Sequence, residues 1–314
     1  MMPWLTVVMP VHDGAHFLGA TLASAAQSDT AGVEFLIYNS ADDNGAARRV
    51  ADAFADQLDI RWRDMPYLPS WQAKTNLGVE EAAATHVAML HQDDLWLADH
   101  VTMARHAIAK HPDAALSIAP SRFADPEGRI VGQWRLPFTA GPLERSAFLA
   151  TLLVQNSIAI PSPIVRRDAW LRVGGLDEKL WYSADWDFYL KLVDQGAIIV
   201  RDGTTTAFRL HKNSLTMSGS RKAGEFRSQL EQVLDRHIGR VPASSRAAIE
   251  RRARASLEVN CALAAASGGA KDALAKAALQ LLRLGPLDLA RYVRQSRIID
   301  RVLPRLRLSR AGGL

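Results

Sequence analysis

An α/β fold is what the sequence predicts, with a mainly parallel sheet flanked by helices and a helical region appended on its C-terminal side. Three observations lead there. Short apolar runs rich in β-branched residues alternate with helical stripes through the first 90 residues, the pattern of a parallel sheet covered on both faces. Val87 to Leu90 is an apolar run bounded by polar residues, which reads as a buried strand. From residue 221 the pattern turns helical and the charge changes sign: residues 1–220 carry 19 Lys and Arg against 25 Asp and Glu, and residues 221–314 carry 19 against 8. Two domains are therefore expected, an α/β domain over 1–220 and a basic helical region over 221–314.

The elements follow in order. Trp4 to Met9 is rich in β-formers and stops at Pro10, after which Phe17, Leu18, Leu22 and Ala25 share one stripe of a helix over Phe17 to Ala26. Val33 to Tyr38 repeats the strand, Ala46 to Phe54 the helix, and Ile60 to Arg63 is a third short strand. A helix over Gln72 to Ala84 leads into the strand at Val87. Next come a helix over Ala98 to Lys110, a strand over Ala115 to Ala119, and a hairpin turning at Asp125-Pro-Glu-Gly128 into Arg129 to Trp134. Phe148 to Val154 is a helix face and Ile164-Val165 a strand; a helix capped by Ser183 or Asp185 carries Trp186, Phe188, Tyr189 and Leu192 on apolar faces. Ala197 to Val200 and Thr205 to Leu210 are strands, the second ending at His211. Helices over Glu225 to Ile238, Ser244 to Ala266, Lys271 to Leu284 and Leu287 to Leu303 complete the chain, punctuated by Gly268-Gly269 and Gly285-Pro286.

Composition narrows the function classes. A hydrophobic share of 48% supports a sizeable core, and the single cysteine, Cys261, rules out an intrachain disulfide, a Cys-rich zinc site and a redox pair. No basic leader precedes an apolar core, and no stretch reaches the roughly 18 apolar residues of a membrane span, so a cytoplasmic protein without a transmembrane helix is expected. The last predicted helix is amphipathic. Leu289, Tyr292, Val293, Ile299 and Leu303 share one face, with Arg291, Arg294, Arg297 and Arg301 opposite. Such a helix either packs on the core with its arginines solvated or lies on anionic lipid, peripheral at the inner face of the membrane. A specific nucleic-acid partner is not expected, because the basic tail lacks interleaved aromatics and any known module.

Several polar groups carry possible chemistry. Asp93 and Asp94 end the predicted central strand, on the edge where open α/β sheets bind ligands. Hard oxygens there suit Mg²⁺ or Mn²⁺, which needs few protein ligands when a diphosphate supplies the rest. Taken alone, the pair reads as readily as the acidic start of the next helix. Lys74 either offers a diphosphate a point charge or is a solvated helix lysine. No Gly-x-Gly-x-x-Gly follows the first strand, against a dinucleotide-binding dehydrogenase; the turn is Pro10-Val-His-Asp-Gly14. Asn39 ends the second strand with both a donor and an acceptor for a base edge. Asp185 and Asp187 both open a helix, where capping and the helix dipole account more easily for one acid than for two.

In order along the chain, Val7-Val-Met-Pro-Val-His-Asp13 with Leu18, Leu22 and Gln27, Glu34-Phe-Leu-Ile-Tyr-Asn39, Asn76-Leu-Gly78, Gln92-Asp-Asp94, Pro161-Ser-Pro-Ile-Val-Arg-Arg167, Gly174-Gly-Leu-Asp177 and Ser183-Ala-Asp-Trp-Asp187 resemble the family 2 glycosyltransferases of the GT-A fold, over roughly residues 3–212. The resemblance implies an inverting, metal-dependent enzyme. It would move a hexosyl or deoxyhexosyl group from a nucleotide diphosphate sugar to a hydroxyl of a glycan or lipid-linked acceptor, as in bacterial surface-polysaccharide or lipid-linked glycan assembly. It implies that Pro10, Val11, His12, Asp13 and Asn39 cradle the nucleoside and that Lys74, Gln92, Asp93 and Asp94 meet the rest of the donor. It further implies that Asp93 and His211 hold Mn²⁺ or Mg²⁺ and that Asp185 is the catalytic base. The sequence departs from the family where Asn39-Ser40 replaces two acids, with Asp42 and Asp43 two residues later, and where Ala184 replaces the Glu that usually precedes the base. These departures, together with His91, motivate an alternative: a catalytically silent nucleotide-sugar or glycan-binding protein on the same fold.

Overall fold

The computed structural model describes residues 2–212, 214, 223–267 and 271–310. Runs that are apolar along their length, rather than at alternate positions, belong to strands covered on both faces. β1 (Leu5–Val11) is such a strand; α1 (Ala15–Ala26) follows it, and β2 (Val33–Asn39) then pairs with β1 in parallel, both strands wholly buried. Thr6 and Glu34 satisfy one another across the pair, Thr6 Oγ1 donating to Glu34 Oε1 at 2.5 Å. α2 (Ala46–Asp52), β3 (Asp59–Asp64), α3 (Trp71–Glu81) and β4 (His86–Met89) continue the alternation, with β3 parallel to β2 and β4 parallel to β1.

Past β4 the chain builds a second layer. In order come β5 (Leu95–Trp96), α4 (His100–Lys110), β6 (Ala114–Ile118), β7 (Ser121–Ala124), β8 (Ile130–Trp134), β9 (Gly141–Leu143), α5 (Arg145–Val154), β10 (Ile164–Arg166), α6 (Arg167–Arg172), α7 (Ala184–Lys191), β11 (Ala197–Val200) and β12 (Thr206–Arg209). The large sheet has eight strands in the order β3-β2-β1-β4-β10-β6-β11-β9, with β10 and β9 antiparallel to their neighbours. The small sheet is β5-β12-β7-β8. This arrangement puts the carboxyl ends of β1, β2 and β4 on one edge and brings β12 beside the loop that follows β4.

The helical region comprises α8 (Ala223–His237), α9 (Ala243–Ser267), α10 (Lys271–Leu282), α11 (Gly285–Ser296) and α12 (Ile298–Arg310). α9 packs against α5, α8 and α10, α11 against α5, and α12 against β8. Gly132 of β8 makes the last contact possible, since a Cβ there would overlap the ring of Pro304. The expected domain boundary at 220/221 and the Gly268-Gly269 pair lie outside the described residues. No helix among the described residues is long and apolar enough to cross a membrane.

The expected single helix over Leu287 to Leu303 is corrected to two. Arg297 ends α11 in the left-handed conformation (φ 49°), and the chain restarts as α12 on a new axis. The break divides the apolar stripe: Tyr292 is fully buried and Leu289 packs against the core, while Ile299 and Leu303 are 58% and 44% exposed. The arginines divide too: Arg291 and Arg294 are exposed, whereas Arg297 and Arg301 turn inward. Arg291 pairs with Asp288, Arg297 donates to Leu136 O, and Arg301 donates to Asn260.

Candidate active site

β4 ends at Met89, and residues 91–94 make a tight turn closed by Asp94 N–H donating to His91 O at 3.2 Å. The next helix begins only at His100, so Asp93 and Asp94 do not start it. The turn instead gathers His91, Asp93 and Asp94, whose ligand atoms all lie within 4.8 Å of one another. β12 completes the cluster from the small sheet. Arg209 N–H donates to Asp94 Oδ1 at 3.1 Å and Arg209 Nε to Asp93 O at 2.7 Å, and His211 Nε2 lies 2.8 Å from Asp93 Oδ2. The expected pairing of Asp93 with His211 is therefore present in the fold. His91, read in the sequence only as a missing acid, joins the cluster as a third potential ligand.

The electrostatics of this cluster are unusual for a purely structural turn. Asp94 is 1% exposed, and burial with the neighbouring Asp93 charge pushes its carboxyl well above the usual range. Burial acts in the same sense on Asp93, but the His211 hydrogen bond and the adjacent imidazoles hold it below. Burial lowers His91. Asp94 Oδ2, His91 Nε2 and His211 Nδ1 are buried without a protein partner, a costly arrangement unless something else occupies them. The donor set of His91, Asp93 and Asp94 fits a divalent cation, with His211 held against the Asp93 carboxylate.

The loop after β1 is stapled to this turn. His12 N–H donates to Gln92 Oε1 at 2.8 Å and Gln92 Nε2 donates to His12 O at 2.9 Å. Asp13 adopts the left-handed conformation, and its side chain is 77% exposed. Pro10 and Val11 are the buried end of β1. Lys74 is neither solvated nor free: its ammonium donates to Val11 O and Ser40 Oγ, each at 2.7 Å, and burial lowers it to about 8. It braces the loop from beneath. Asn39 is likewise engaged, closing a turn with Ala41 and donating to Asp64 Oδ1 at 3.2 Å. Exposed Asp64, at the end of β3, is thus an acid presented on this edge near Asn39, and no local pattern marks it. Asp43 caps α2 through Ala47 N–H.

Other quoted motif residues are also staples. Asn76 exchanges two hydrogen bonds with the backbone of Leu176, each 2.9 Å, and fixes the turn in which Gly175 takes a positive φ of 65°. A Cβ at Gly175 would overlap the Asn76 side chain.

Asp185 and Asp187 open α7, and they differ. Asp185 accepts from Trp186 N–H at 2.8 Å and Asn156 Nδ2 at 2.9 Å, and burial raises it to about 6. It lines a cavity of about 130 Å³ enclosed by α5, α8, α9, α12 and the small sheet. Burial also opposes ionisation of Asp187, but His237 at 2.9 Å and Lys191 at 3.1 Å overcome it and hold the carboxyl at about 2. Asp187 is therefore the anchor of α8 on the α/β core. β12 links the two centres: Phe208 lines the cavity of Asp185, and Arg209 and His211 hold the acids of the β4 turn.

Known proteins can be set beside this geometry. The mannosyltransferase PcManGT from Pyrobaculum calidifontis, solved with GDP-Man and Mn²⁺, superposes with a TM-score of 0.61 at 19% identity, covering 98% of this chain and 88% of that one. TarS 1–349 of S. aureus superposes with a TM-score of 0.55 at 17% identity, covering 83% and 81%; its complex with UDP-GlcNAc gives 0.56 at 15%, covering 83% and 82%. None of the curated proteins matches by sequence. At these identities the superpositions show the GT-A fold. The sequence profile described as glycosyltransferase like family 2 matches residues 6–240. With three quarters of its length inside that profile and a GT-A core beneath it, the chain belongs to the glycosyltransferase like family 2.

Proposed function

We propose that the protein is an inverting glycosyltransferase that takes a sugar from a nucleotide diphosphate donor and delivers it to an acceptor hydroxyl, with Asp185 as the base. The observation that carries this reading is the Asp185 carboxylate, desolvated on a cavity wall with a pKa of about 6. A general base works best with a pKa near the operating pH. In this reading Asp185 accepts the acceptor's proton as its oxygen attacks the anomeric carbon from the face opposite the leaving diphosphate, and Asn156 and Trp186 N–H hold the carboxylate in position.

The donor is assigned to the other centre. The complexes of the structural neighbours with UDP-GlcNAc and with GDP-Man and Mn²⁺ support a nucleotide sugar as donor class. Pro10 to Asp13, Asn39 and Asp64 would face the nucleoside, with Lys74 and Gln92 bracing the loops. Asp93 and His211, joined by His91 and Asp94, would hold a divalent cation, Mn²⁺ in preference to Mg²⁺, which neutralises charge on the departing diphosphate. A binding-only protein on this fold would bind nucleotide yet turn over no nucleotide sugar.

A glycan or lipid-linked acceptor of surface-polysaccharide assembly fits the helical region. Leu287, Val293, Ile299, Leu303 and Leu306 are exposed on α11 and α12, interspersed with exposed Arg291, Arg294 and Arg307. That surface suits peripheral contact with anionic lipid. The deciding experiment is turnover of nucleotide sugars by Asp185→Asn, with nucleotide affinity measured alongside. Retained turnover would remove Asp185 from its role.

A further inference from the structure

The cavity that holds Asp185 has a second charged feature. Arg301 and Arg305, one turn apart on α12, reach its wall. Arg301 Nη2 donates to Asn260 Oδ1 at 2.8 Å, and its Nη1 is buried without a partner. Arg305 Nη1 donates to Arg301 O at 2.7 Å, and its guanidinium lies 5.3 Å from the Phe123 ring centroid. Among the described residues no carboxylate pairs with either arginine. Their neighbour Asp300 is turned to Arg135 instead, at 3.1 Å. The nearby titratable groups are Tyr182, Tyr292 and Asp185. The hydroxyls of both tyrosines are raised, burial being the leading cause, so they stay neutral. Burial lowers both arginines, Arg305 to about 10, and the two like charges add to the effect on Arg305.

Two cations set together in a partly dry cavity, with no carboxylate paired to either among the described residues, are costly, and a buried charge is ordinarily paired. Here the fold brings both from one helix that exposes Ile299, Leu303 and Leu306 and buries Leu308. A guanidinium presents a planar fork of donors that matches phosphate oxygens, and two forks on one wall form a clamp for a tetrahedral anion. We propose that the acceptor carries a phosphate, as a phosphomonoester, phosphodiester or diphosphate, and that Arg301 and Arg305 bind it in the Asp185 cavity. This rests on the assignment of Asp185 as base: the bound phosphate places a hydroxyl of the same acceptor against that carboxylate. Aromatic Trp134, Phe208 and Tyr182 line the same cavity.

The test uses the full chain with Mn²⁺ and saturating UDP or GDP, so that the donor site is filled, and titrates inorganic phosphate and glycerol 1-phosphate by calorimetry. Phosphate is expected to bind the nucleotide-loaded protein, and Arg301→Gln with Arg305→Gln to weaken it about tenfold or more, the worth of a charge-assisted hydrogen bond. Nucleotide affinity is expected to stay unchanged. If the double variant instead weakens the nucleoside diphosphate by the same factor, the arginines serve the donor's diphosphate and the proposal falls. It falls too if phosphate does not bind the loaded wild-type protein. A measurement on the wild type guards against a variant that fails to fold: phenylglyoxal labelling of Arg301 and Arg305 is slowed by glycerol 1-phosphate but not by the nucleotide, and equal labelling in all conditions overturns the site. Asp185→Asn is expected to keep the phosphate response while losing turnover, so a failure of the base assignment and a failure of the phosphate site give different results.

Discussion

Asp185 and Asp187 stand two positions apart in the first turn of α7, and their surroundings drive them in opposite directions, the first up to about 6 and the second down to about 2. Asp185 faces a cavity with two neutral donors as its partners, whereas Asp187 is enclosed by His237, Lys191 and Arg236. Two carboxylates with pKa values pushed apart can divide their work between them: in the reading proposed above one exchanges protons, while the other ties the helical region to the core.

Asp185→Asn is expected to lower turnover by roughly 10² to 10⁴, the usual worth of a positioned base, with nucleotide affinity near normal. In the wild type kcat/KM should fall about tenfold per pH unit below about pH 6, as Asp185 takes up its proton. The stability effect has the opposite sign. Because folding raises this pKa from 3.8, the ionised carboxylate disfavours the folded state above pH 6, and that cost fades as pH falls through 6. The asparagine variant should therefore be no less stable than the wild type at pH 7 in urea titrations.

Asp187→Asn should do the reverse. Removing one partner of a buried ion pair costs about 3 kcal/mol, read as a lower urea midpoint at pH 7. The folded-state pKa is about 2 against 3.8, so this stabilisation is complete above pH 4 and is lost as pH falls toward 2. An unchanged midpoint in the variant, or an acid transition at the same pH as in the wild type, would contradict the anchoring role.

Asp93→Asn should abolish the divalent-cation dependence of nucleoside diphosphate binding, followed by calorimetry with and without Mn²⁺. His91→Asp is expected to move the preference from Mn²⁺ toward Mg²⁺ by removing an imidazole from the set. If His91→Asp leaves the ratio of the two affinities unchanged, His91 is not a ligand.

For the exposed face of α11 and α12, Ile299→Ser with Leu303→Ser and Leu306→Ser should reduce co-sedimentation with anionic vesicles at low salt while leaving the urea midpoint intact. Truncation at Leu284 is a poorer test, because it also removes buried Tyr292 and the arginines of the cavity wall. Equal sedimentation of wild type and triple variant would dismiss lipid contact.

Most of the α/β core was legible because its signals are local: β1, β2 and β4 are continuous apolar runs, and α1 and α4 show a single stripe. Two-residue β5, three-residue β9 and six-residue α6 have too few residues to show a period. The pairing of Asp93 with His211, 118 positions apart, came through family resemblance and has no local signature. His91 escaped because a search for acids passes over an imidazole that can ligate equally well. Lys74 and Asn39 were legible as polar groups at the right edge, but tertiary hydrogen bonds decide that they brace loops. The tail was misread because a helical wheel assumes one unbroken axis, and Arg297 in the left-handed conformation resets it. The same wheel assumes that leucines face inward, which fails where a cavity lined by aromatics and arginines lies beneath.

Because Arg301 and Arg305 complete the wall of a cavity whose carboxylate comes from residue 185, that cavity is assembled from residues more than a hundred positions apart. The cavity closes only once α12 has left the ribosome and reached β8 through the Gly132 and Pro304 contact. A chain interrupted before that point would lack the Arg301 and Arg305 part of the wall around Asp185.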